Sequence, residues 1–173
     1  MLLSIIAFIV SLPARMKGMK IAKNVILAPG YGIISYRYDN VTLHDNVIIG
    51  RNAFIQVFGK GKIDVGAGTT IGKDVTISSN KNIAIGSNCL IGYRVSILDH
   101  DHTTGGLSAG KKITIGNNCS IGAQSFILKG VTLGNGCVVG AGSVVTKSFP
   151  AGSVIVGNPA KRIKRSLKKA RGL

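Results

Sequence analysis

The chain has 173 residues and a formal net charge of +16, from 22 Lys and Arg against six Asp and no Glu. This length fits one domain, and the charge predicts anionic partners such as phosphorylated ligands, a polyanion or an anionic membrane surface. With four Tyr, five Phe and no Trp, the chain has few rings for base stacking, so we expect no nucleic-acid partner.

The first 20 residues form a separate apolar and basic segment. Its apolar run of 12 residues is too short to cross a bilayer as a helix, and it lacks the features of a signal peptide. Two interpretations stay open: an element that caps the open end of the domain, or an interfacial anchor aided by Arg15, Lys17, Lys20 and Lys23. We expect a cytoplasmic protein, with peripheral contact at the inner face of the membrane as the alternative.

From Ile21 onward, an aliphatic residue returns at every sixth position, and extra residues interrupt the series at only a few places. The 18 members are all Ile, Leu or Val and fall into groups of three. They are Ile21, Leu27, Ile33; Leu43, Ile49, Ile55; Val65, Ile71, Ile77; Ile85, Ile91, Ile97; Ile115, Ile121, Ile127; and Leu133, Val139, Val145. Such self-similarity predicts a solenoid, in which each repeat buries its apolar side against its neighbours.

Each group of three predicts one three-sided coil. Extra residues enter only after the third member, so one corner accepts insertions, whereas glycine often follows the first and second members. We expect these glycines to supply backbone angles that other residues adopt poorly. Small residues four places after the aliphatic, including Cys89, Cys119 and Cys137, are expected to stack inside as packing residues. The sequence thus predicts an all-β parallel β-helix of about six coils over residues 21–160.

The longest insertion, about residues 98–112, brings together side chains that can perform chemistry. It contains His100 and His102, two of the three histidines of the chain, with Asp99 and Asp101 beside them. A neutral imidazole can act as a general base near pH 7, and a neighbouring carboxylate can orient it and stabilise its charged form. We therefore predict that this loop carries the functional site.

A metal site is the competing interpretation of the same loop. Two histidines in a His-x-His pattern can bind zinc, but a catalytic zinc usually needs a third protein ligand. The remaining histidine, His44, is about three coils away and is expected at the surface. We therefore expect no metal.

The segments IGNNCSIGAQ and LGNGCVVGAGSVVTK, followed by VGNPAKRIK, resemble the hexapeptide-repeat acyltransferases. Within that family the likeness is to the galactoside, maltose and streptogramin acetyltransferases and the polysaccharide O-acetyltransferases. It covers residues from about 41 to 165 and is most specific from Ile113 to Lys164 and in the loop with the histidines. The resemblance implies a left-handed β-helix, a homotrimer with active sites between neighbouring subunits, and acetyl-CoA as the acyl donor.

The resemblance also implies roles for particular residues. The catalytic histidine of the family lies five residues after the aliphatic that ends its coil, which gives His102 when counted from Ile97, with His100 as the alternative. The Asn that contacts the sugar in the galactoside enzymes corresponds to Asp74 here, with Asn80 and Asn82 nearby in the small insertion. Asp99 and Asp101 of the long loop are the other candidates for acceptor binding. The implied contacts to acetyl-CoA are Ala123, Ala141, Thr146, Lys147, Lys161 and Lys164, with Arg162 as an additional charge for its phosphates.

Residues 161–173 form a basic C-terminal segment, in which seven of the eleven residues from Lys161 to Arg171 are Lys or Arg.

The expected function is acetyl transfer to a sugar hydroxyl of a surface-polysaccharide precursor or of a nucleotide- or lipid-linked sugar, with a histidine base and no covalent intermediate. N-acetylation of an amino sugar and a non-enzymatic polyanion-binding solenoid are the alternatives. Hydration by a trimeric metal enzyme of the carbonic anhydrase type is disfavoured, because it needs three His from two subunits.

Overall fold

The computed structural model describes residues 18–35, 38–103, 106–107 and 110–163. The apolar run of the N-terminal segment therefore lies outside the described residues. In the part that is described, the helical structure is a short 3-10 turn at Tyr38–Asn40, and no helix is long and apolar enough to span a membrane.

The described chain consists mainly of very short strands. In chain order they are β1 (Lys20–Ile21), β2 (Ile26–Leu27), β3 (Gly32–Ser35), β4 (Val41–Leu43), β5 (Ile48–Ile49), β6 (Phe54–Val57), β7 (Ile63–Val65), β8 (Thr70–Ile71), β9 (Thr76–Ser79), β10 (Ile83–Ile85), β11 (Leu90–Ile91), β12 (Ser96–Leu98), β13 (His102–Thr103), β14 (Gly106–Leu107), β15 (Ile113–Ile115), β16 (Ser120–Ile121), β17 (Phe126–Ile127), β18 (Thr132–Leu133), β19 (Val138–Val139), β20 (Val144–Val145), β21 (Val154–Gly157) and β22 (Ala160–Ile163).

Consecutive strands lie in three different sheets, which form the three faces of a prism. Sheet A contains β1, β4, β7, β10, β15 and β18, sheet B contains β2, β5, β8, β11, β16, β19, β21 and β22, and sheet C contains β3, β6, β9, β12, β17 and β20. Except for the β21–β22 pair, neighbours pair in parallel with the repeat aliphatics in register, so that Ile91 lies between Ile71 and Ile121. The chain forms the left-handed parallel β-helix implied by its sequence.

The repeat aliphatics form the core, as predicted. Every member of the series is buried except Ile33, which is half-buried. The small residues four places later are buried as well, and their polar atoms bond to the next coil. The Sγ atoms of Cys89, Cys119 and Cys137 donate to carbonyl oxygens at 3.1, 3.3 and 3.2 Å. The hydrogen bond with the Cys89 thiol and burial raise the pKa of Cys119 above its ordinary value, so this thiol stays protonated.

The glycines that follow the aliphatics serve a different purpose from the one expected. None of them has a positive φ, so the prediction of unusual backbone angles is wrong for these positions. They are needed because successive coils touch: a Cβ on Gly122 would lie 2.4 Å from the backbone nitrogen of Ala141. The positive φ angles occur two residues later, at residues such as Asn88 (55°), Asn118 (56°) and Gly136 (68°), since Asn and Gly adopt the left-handed conformation at low cost.

The β-helix continues past the sixth coil. Phe149 bridges to Leu133, and Ile155 pairs with Val139, so the first two columns each gain a member. The sequence series missed this coil because the spacing from Val145 shortens to four residues. The chain then reverses, and β22 pairs antiparallel with β21. The boundary predicted at residue 160 therefore falls at the start of a strand, and the basic segment begins within sheet B.

Gly122→Ala tests the role of close approach. The added Cβ must displace the backbone of the next coil, so we expect the free energy of unfolding to fall by about 1–3 kcal/mol, as in other overpacked sites. Gly136→Asn is the control, because no atom lies within 4 Å of its added Cβ and Asn occupies the equivalent position in other coils. Urea denaturation measures both, and a larger loss for Gly136→Asn would contradict the steric explanation.

Candidate active site in the long loop

The predicted loop leaves the prism at the corner between sheets C and A, which we call the third corner. It follows β12, forms the antiparallel pair β13–β14, with His102 opposite Leu107, and returns at β15. The four- and two-residue insertions that follow β6 and β9 lie at the same corner on the preceding coils. The loop therefore emerges where the β-helix tolerates additional chain.

Asp99 anchors the base of the loop. Its side chain is fully buried and accepts four hydrogen bonds from the preceding coil: from the Ser79 hydroxyl at 2.8 Å and from the backbone N–H groups of Asn80, Lys81 and Asn82 at 2.7, 2.9 and 2.8 Å. The two extra residues after the third aliphatic of that coil open the backbone here, and three successive N–H groups converge on one carboxylate. Such an arrangement compensates the cost of burying the charge.

The backbone of Asp99 closes the same base. Its N–H donates to the Ser78 carbonyl at 3.3 Å, and its carbonyl accepts from the N–H of Lys111 at 2.7 Å. The departing and returning arms of the loop are thus joined at one residue. A Cβ on Gly110 would lie 3.1 Å from the Asp99 carbonyl oxygen and 2.9 Å from the Cβ of Lys81, so the returning arm packs directly against this base.

His100 is held between Asp99 and an aromatic ring. Its Nδ1 lies 3.1 Å from Asp99 Oδ1, and the Phe58 ring meets the imidazole edge to face, with centroids 5.4 Å apart. With its side chain 1% exposed, His100 cannot contact a substrate in this conformation. The Asp99–His100 pair therefore fixes the chain just before β13, where the second histidine of the loop, His102, is located; the structure describes the backbone of that residue.

The exposed carboxylate of the loop is Asp101. Its side chain is 53% exposed and forms an ion pair with Lys129 on the following coil. Of the two loop carboxylates, Asp99 is thus enclosed by protein donors and Asp101 faces solvent. His44 is also at the surface, as predicted, where its Nε2 lies 3.3 Å from Asp64 Oδ1.

The two alanines of the predicted cofactor set lie together at the corner between sheets B and C, the second corner. The Ala123 carbonyl accepts from Gly142, the residue after Ala141, at 2.8 Å. A Cβ on Gly92 would lie 2.7 Å from the backbone nitrogen of Ala123, so this corner presents small side chains on successive coils.

The remaining predicted residues occupy other positions. Thr146 and Lys147 are exposed at the third corner after β20, and the Lys147 ammonium lies 5.9 Å from the Phe149 ring centroid. Lys161 and Arg162 are exposed on β22, whereas Lys164 lies outside the described residues.

Asp74, by contrast, lies at the second corner. It accepts from Asn52 Nδ2 at 3.2 Å and lies 4.0 Å from Arg94 Nε.

One chain does not bring the predicted set together. The alanines and Asp74 lie at the second corner, and the loop emerges from the third, on the other side of sheet C. About five extended residues separate these corners, or roughly 17 Å. The backbone donors at residues 80–82 and the Phe58 ring were not predicted as parts of the site. The sequence feature that could have indicated these residues is the position of the insertions after β6 and β9, which lie at the same corner as the long loop.

No group of three or more His, Cys, Asp and Glu side chains in the described ranges is arranged to hold a metal ion.

Residues 112–147 match the family model described as the hexapeptide repeat of succinyl-transferase. A comparison with curated protein sequences gives no significant match. Solved structures give clear matches. AntD, an N-acyltransferase from Bacillus cereus crystallised with dTDP and 3-hydroxybutyryl-CoA, has a TM-score of 0.77 at 21% identity, over 89% of this chain and 86% of that one.

Two further matches are acetyltransferases. A hexapeptide-repeat acetyltransferase from Vibrio cholerae O1 biovar eltor, complexed with acetyl coenzyme A, has a TM-score of 0.64 at 27% identity, over 72% of this chain and 70% of that one. A galactoside acetyltransferase in complex with coenzyme A has a TM-score of 0.59 at 29% identity, over 84% of this chain and 64% of that one. The fold is a β-helix of hexapeptide repeats. Its repeat motif at residues 112–147 and these solved neighbours make the chain similar to the hexapeptide-repeat acyltransferases.

Asp99→Asn tests the anchor of the loop. The amide replaces one acceptor oxygen by a donor that faces N–H groups, so we expect a loss of about 1.5–3 kcal/mol in unfolding free energy. Hydrogen exchange should quicken at the amides of residues 80–82. Asp101→Asn is the matched control, because an exposed ion pair contributes at most about 1 kcal/mol. Equal effects of the two substitutions, or unchanged exchange in Asp99→Asn, would refute the anchoring role.

Proposed function

We propose that the protein transfers an acetyl group from acetyl-CoA to a hydroxyl of a sugar that belongs to a surface-polysaccharide precursor or is linked to a nucleotide or lipid. The observation that carries the proposal is the histidine-bearing loop, anchored by a buried carboxylate on a fold whose solved relatives are acyltransferases. Two of these relatives were crystallised with coenzyme A or acetyl coenzyme A, which supports the same donor here.

His102 is the proposed general base. It takes the proton of the sugar hydroxyl as the oxygen attacks the thioester carbonyl, and the carbon–sulfur bond then breaks to release the CoA thiolate. The imidazolium returns its proton to that thiolate, so the histidine is regenerated. Backbone N–H groups stabilise the developing oxyanion. Because both substrates meet in one groove, no covalent intermediate is needed.

His100 is proposed to position the loop. Its imidazole is covered and shares the Asp99 carboxylate with three backbone N–H groups, which suits a support better than a group that must meet substrate. Asp99 acts in the same way, through its contacts with the preceding coil. Asp101 is exposed, so it is the loop carboxylate that an acceptor can reach. Asp74, at the second corner, is proposed as a further contact to the acceptor.

The proposed path of acetyl-CoA follows the second corner. Ala123 and Ala141 leave room for the pantetheine arm at this corner, and Thr146 and Lys147, which lie at the third corner, contact it from a neighbouring subunit. The phosphates bind to Lys161, Arg162 and Lys164, since guanidinium and ammonium groups hold phosphate by charge and hydrogen bonds.

We propose a homotrimer, because the second corner of one subunit can meet the loop of the next. The outer face of sheet B supports this assembly. Its outward row exposes Ile26, Ile48, Leu90 and Val138, which are 39–56% exposed. The outward row of sheet A is polar instead, with residues such as Thr114 and Thr132. Thr70 and Ser120 also belong to this row, but its exposed members are mainly aliphatic, which is typical of an interface core.

The double variant Leu90→Lys and Val138→Lys should convert the trimer into monomers, because it buries two charges in the proposed interface. Thr114→Lys, on the outer face of sheet A, is the matched control and should stay trimeric. Multi-angle light scattering measures the mass. A wild-type monomer with full activity would rule out the assembly.

His102→Ala should lower kcat by about 10²–10⁴-fold, the usual contribution of a positioned base, with little change in the KM for acetyl-CoA. His100→Ala should have a milder effect on kcat and should quicken hydrogen exchange at the base of the loop. Thiol release from acetyl-CoA, measured with sugar and amino-sugar acceptors, checks both variants and distinguishes O- from N-acetylation. Full activity of both variants would exclude a histidine base, and absence of transfer to any acceptor would exclude the function.

A further inference from the structure

A polar groove of about 360 Å³ opens on the outer face of sheet A, next to the third corner. Its floor consists of the outward side chains of three paired strands, Thr42, Asp64 and Ala84, which are direct register partners. The 3-10 turn Tyr38–Asn40 belongs to the four-residue insertion after Ile33 and supplies one wall. The lining is Lys20, Asp39, Asn40, Thr42, Lys62, Ile63, Asp64, Asn82 and Ala84.

The lining has the chemistry of a site for a charged sugar. Carboxylate, amide and hydroxyl groups from Asp39, Asn40, Thr42 and Asp64 can bond to several sugar hydroxyls at once, because each has more than one acceptor or donor position. The floor is small at Ala84, so a ring can lie against the sheet. Lys62 adds an ammonium, which binds phosphate as a point charge.

The groove adjoins the base of the long loop at Asn82. Asn82 lines the groove, and its backbone N–H donates to Asp99 Oδ2 at 2.8 Å. Asp99 in turn holds His100, which precedes β13. A ligand in the groove therefore lies next to the support of the loop, on the same corner of the same chain.

The charge around this corner favours an anion. Lysines are exposed on the corner segments of three successive coils: Lys60, Lys62, Lys81, Lys111 and Lys112. The acidic side chains near this row are the buried Asp99, the paired Asp101, and the Asp39 and Asp64 of the groove lining, which Lys20 and Lys62 of the same lining balance. Such a row of like charges attracts an anionic ligand and raises its local concentration.

We propose that this groove binds the acceptor as a sugar phosphate, with the sugar on the floor and its phosphate at Lys62, so that a free hydroxyl is directed toward the loop. The acceptor role rests on the proposed function. Binding of the sugar phosphate itself does not, because it depends only on the groove.

Binding of glucose and glucose 1-phosphate to the wild-type protein, measured by isothermal titration calorimetry, tests the ligand class. Glucose 1-phosphate should bind about tenfold more tightly, which corresponds to one charge-assisted contact. Lys62→Gln should abolish this preference, and Lys60→Gln, two residues away and outside the groove lining, should retain it. A preference that survives in Lys62→Gln, or no binding of glucose 1-phosphate to the wild type, would overturn the proposal.

Ala84→Leu tests the place, because the larger side chain fills the floor. It should weaken glucose 1-phosphate binding and raise the KM of a competent acceptor by at least about tenfold, with the KM for acetyl-CoA unchanged. Thr114→Leu, the next outward residue of the same row, is the control and should change neither value. Asp64→Asn, which leaves the side-chain volume nearly unchanged, should also weaken glucose 1-phosphate binding, as Ala84→Leu does. If Ala84→Leu leaves acetyl transfer unaffected, the groove is not the acceptor site, and the proposed function still stands. If the protein binds the sugar phosphate but transfers no acetyl group to any acceptor, the proposed function is wrong and the groove remains a binding site.

Discussion

Contact between the backbones of successive coils is the constraint on which the rest of this structure depends. Parallel strands must lie about 4.8 Å apart in every sheet at once, so the corners of neighbouring coils come into direct contact. A Cβ on Gly66, Gly86 or Gly122 would lie 2.4–2.6 Å from the next coil. From Gly50 onward the repeat therefore has glycine at both of these corners, whereas Ala22, Ala28 and His44 occupy the equivalent positions earlier in the chain. The third corner is exempt, and all longer insertions of the chain occur there.

This exemption explains where the functional features lie. The 3-10 turn, the N–H groups at residues 80–82 and the long loop follow the first, third and fourth coils and share one edge of the prism. Because the coils are in register, side chains far apart in sequence become neighbours at this edge. Phe58 and His100 are 42 positions apart, yet their rings touch. A rigid scaffold thus presents a variable edge, which is how a repeat fold acquires a site.

Much of the fold could be predicted from the sequence, because the aliphatic series has one interpretation in three dimensions. Each Ile, Leu or Val of the series had to face inward if the coils were to stack. The role of the glycines could not be predicted correctly, because close contact between coils and a positive φ both favour Gly. In each corner the close contact occurs at the residue after the aliphatic, and the positive φ occurs two residues later. The seventh, partial coil was missed because Phe149 is aromatic and follows Val145 at a shortened spacing.

The site was only partly predictable for a similar reason. The loop and its His and Asp residues were evident from composition, but the burial of His100 and Asp99 depends on what the preceding coil offers. Every residue except proline has a backbone N–H group, so the sequence does not indicate which of these groups donate to Asp99. The division of roles between Asp99 and Asp101 likewise follows from packing: one side chain points into the corner and the other forms an ion pair with Lys129.

The reversal of the chain at β22 also determines how the solenoid ends. A parallel β-helix has an unpaired rim at its last coil, and an identical chain could in principle stack there and continue into a fibre. In sheet B that rim is occupied by a strand that runs in the opposite direction and carries Lys161 and Arg162 on its exposed side. A reversed direction breaks the register that an added coil would need, and the exposed charges disfavour the docking of another strand on this edge. The hairpin thereby protects this molecule against end-to-end polymerisation.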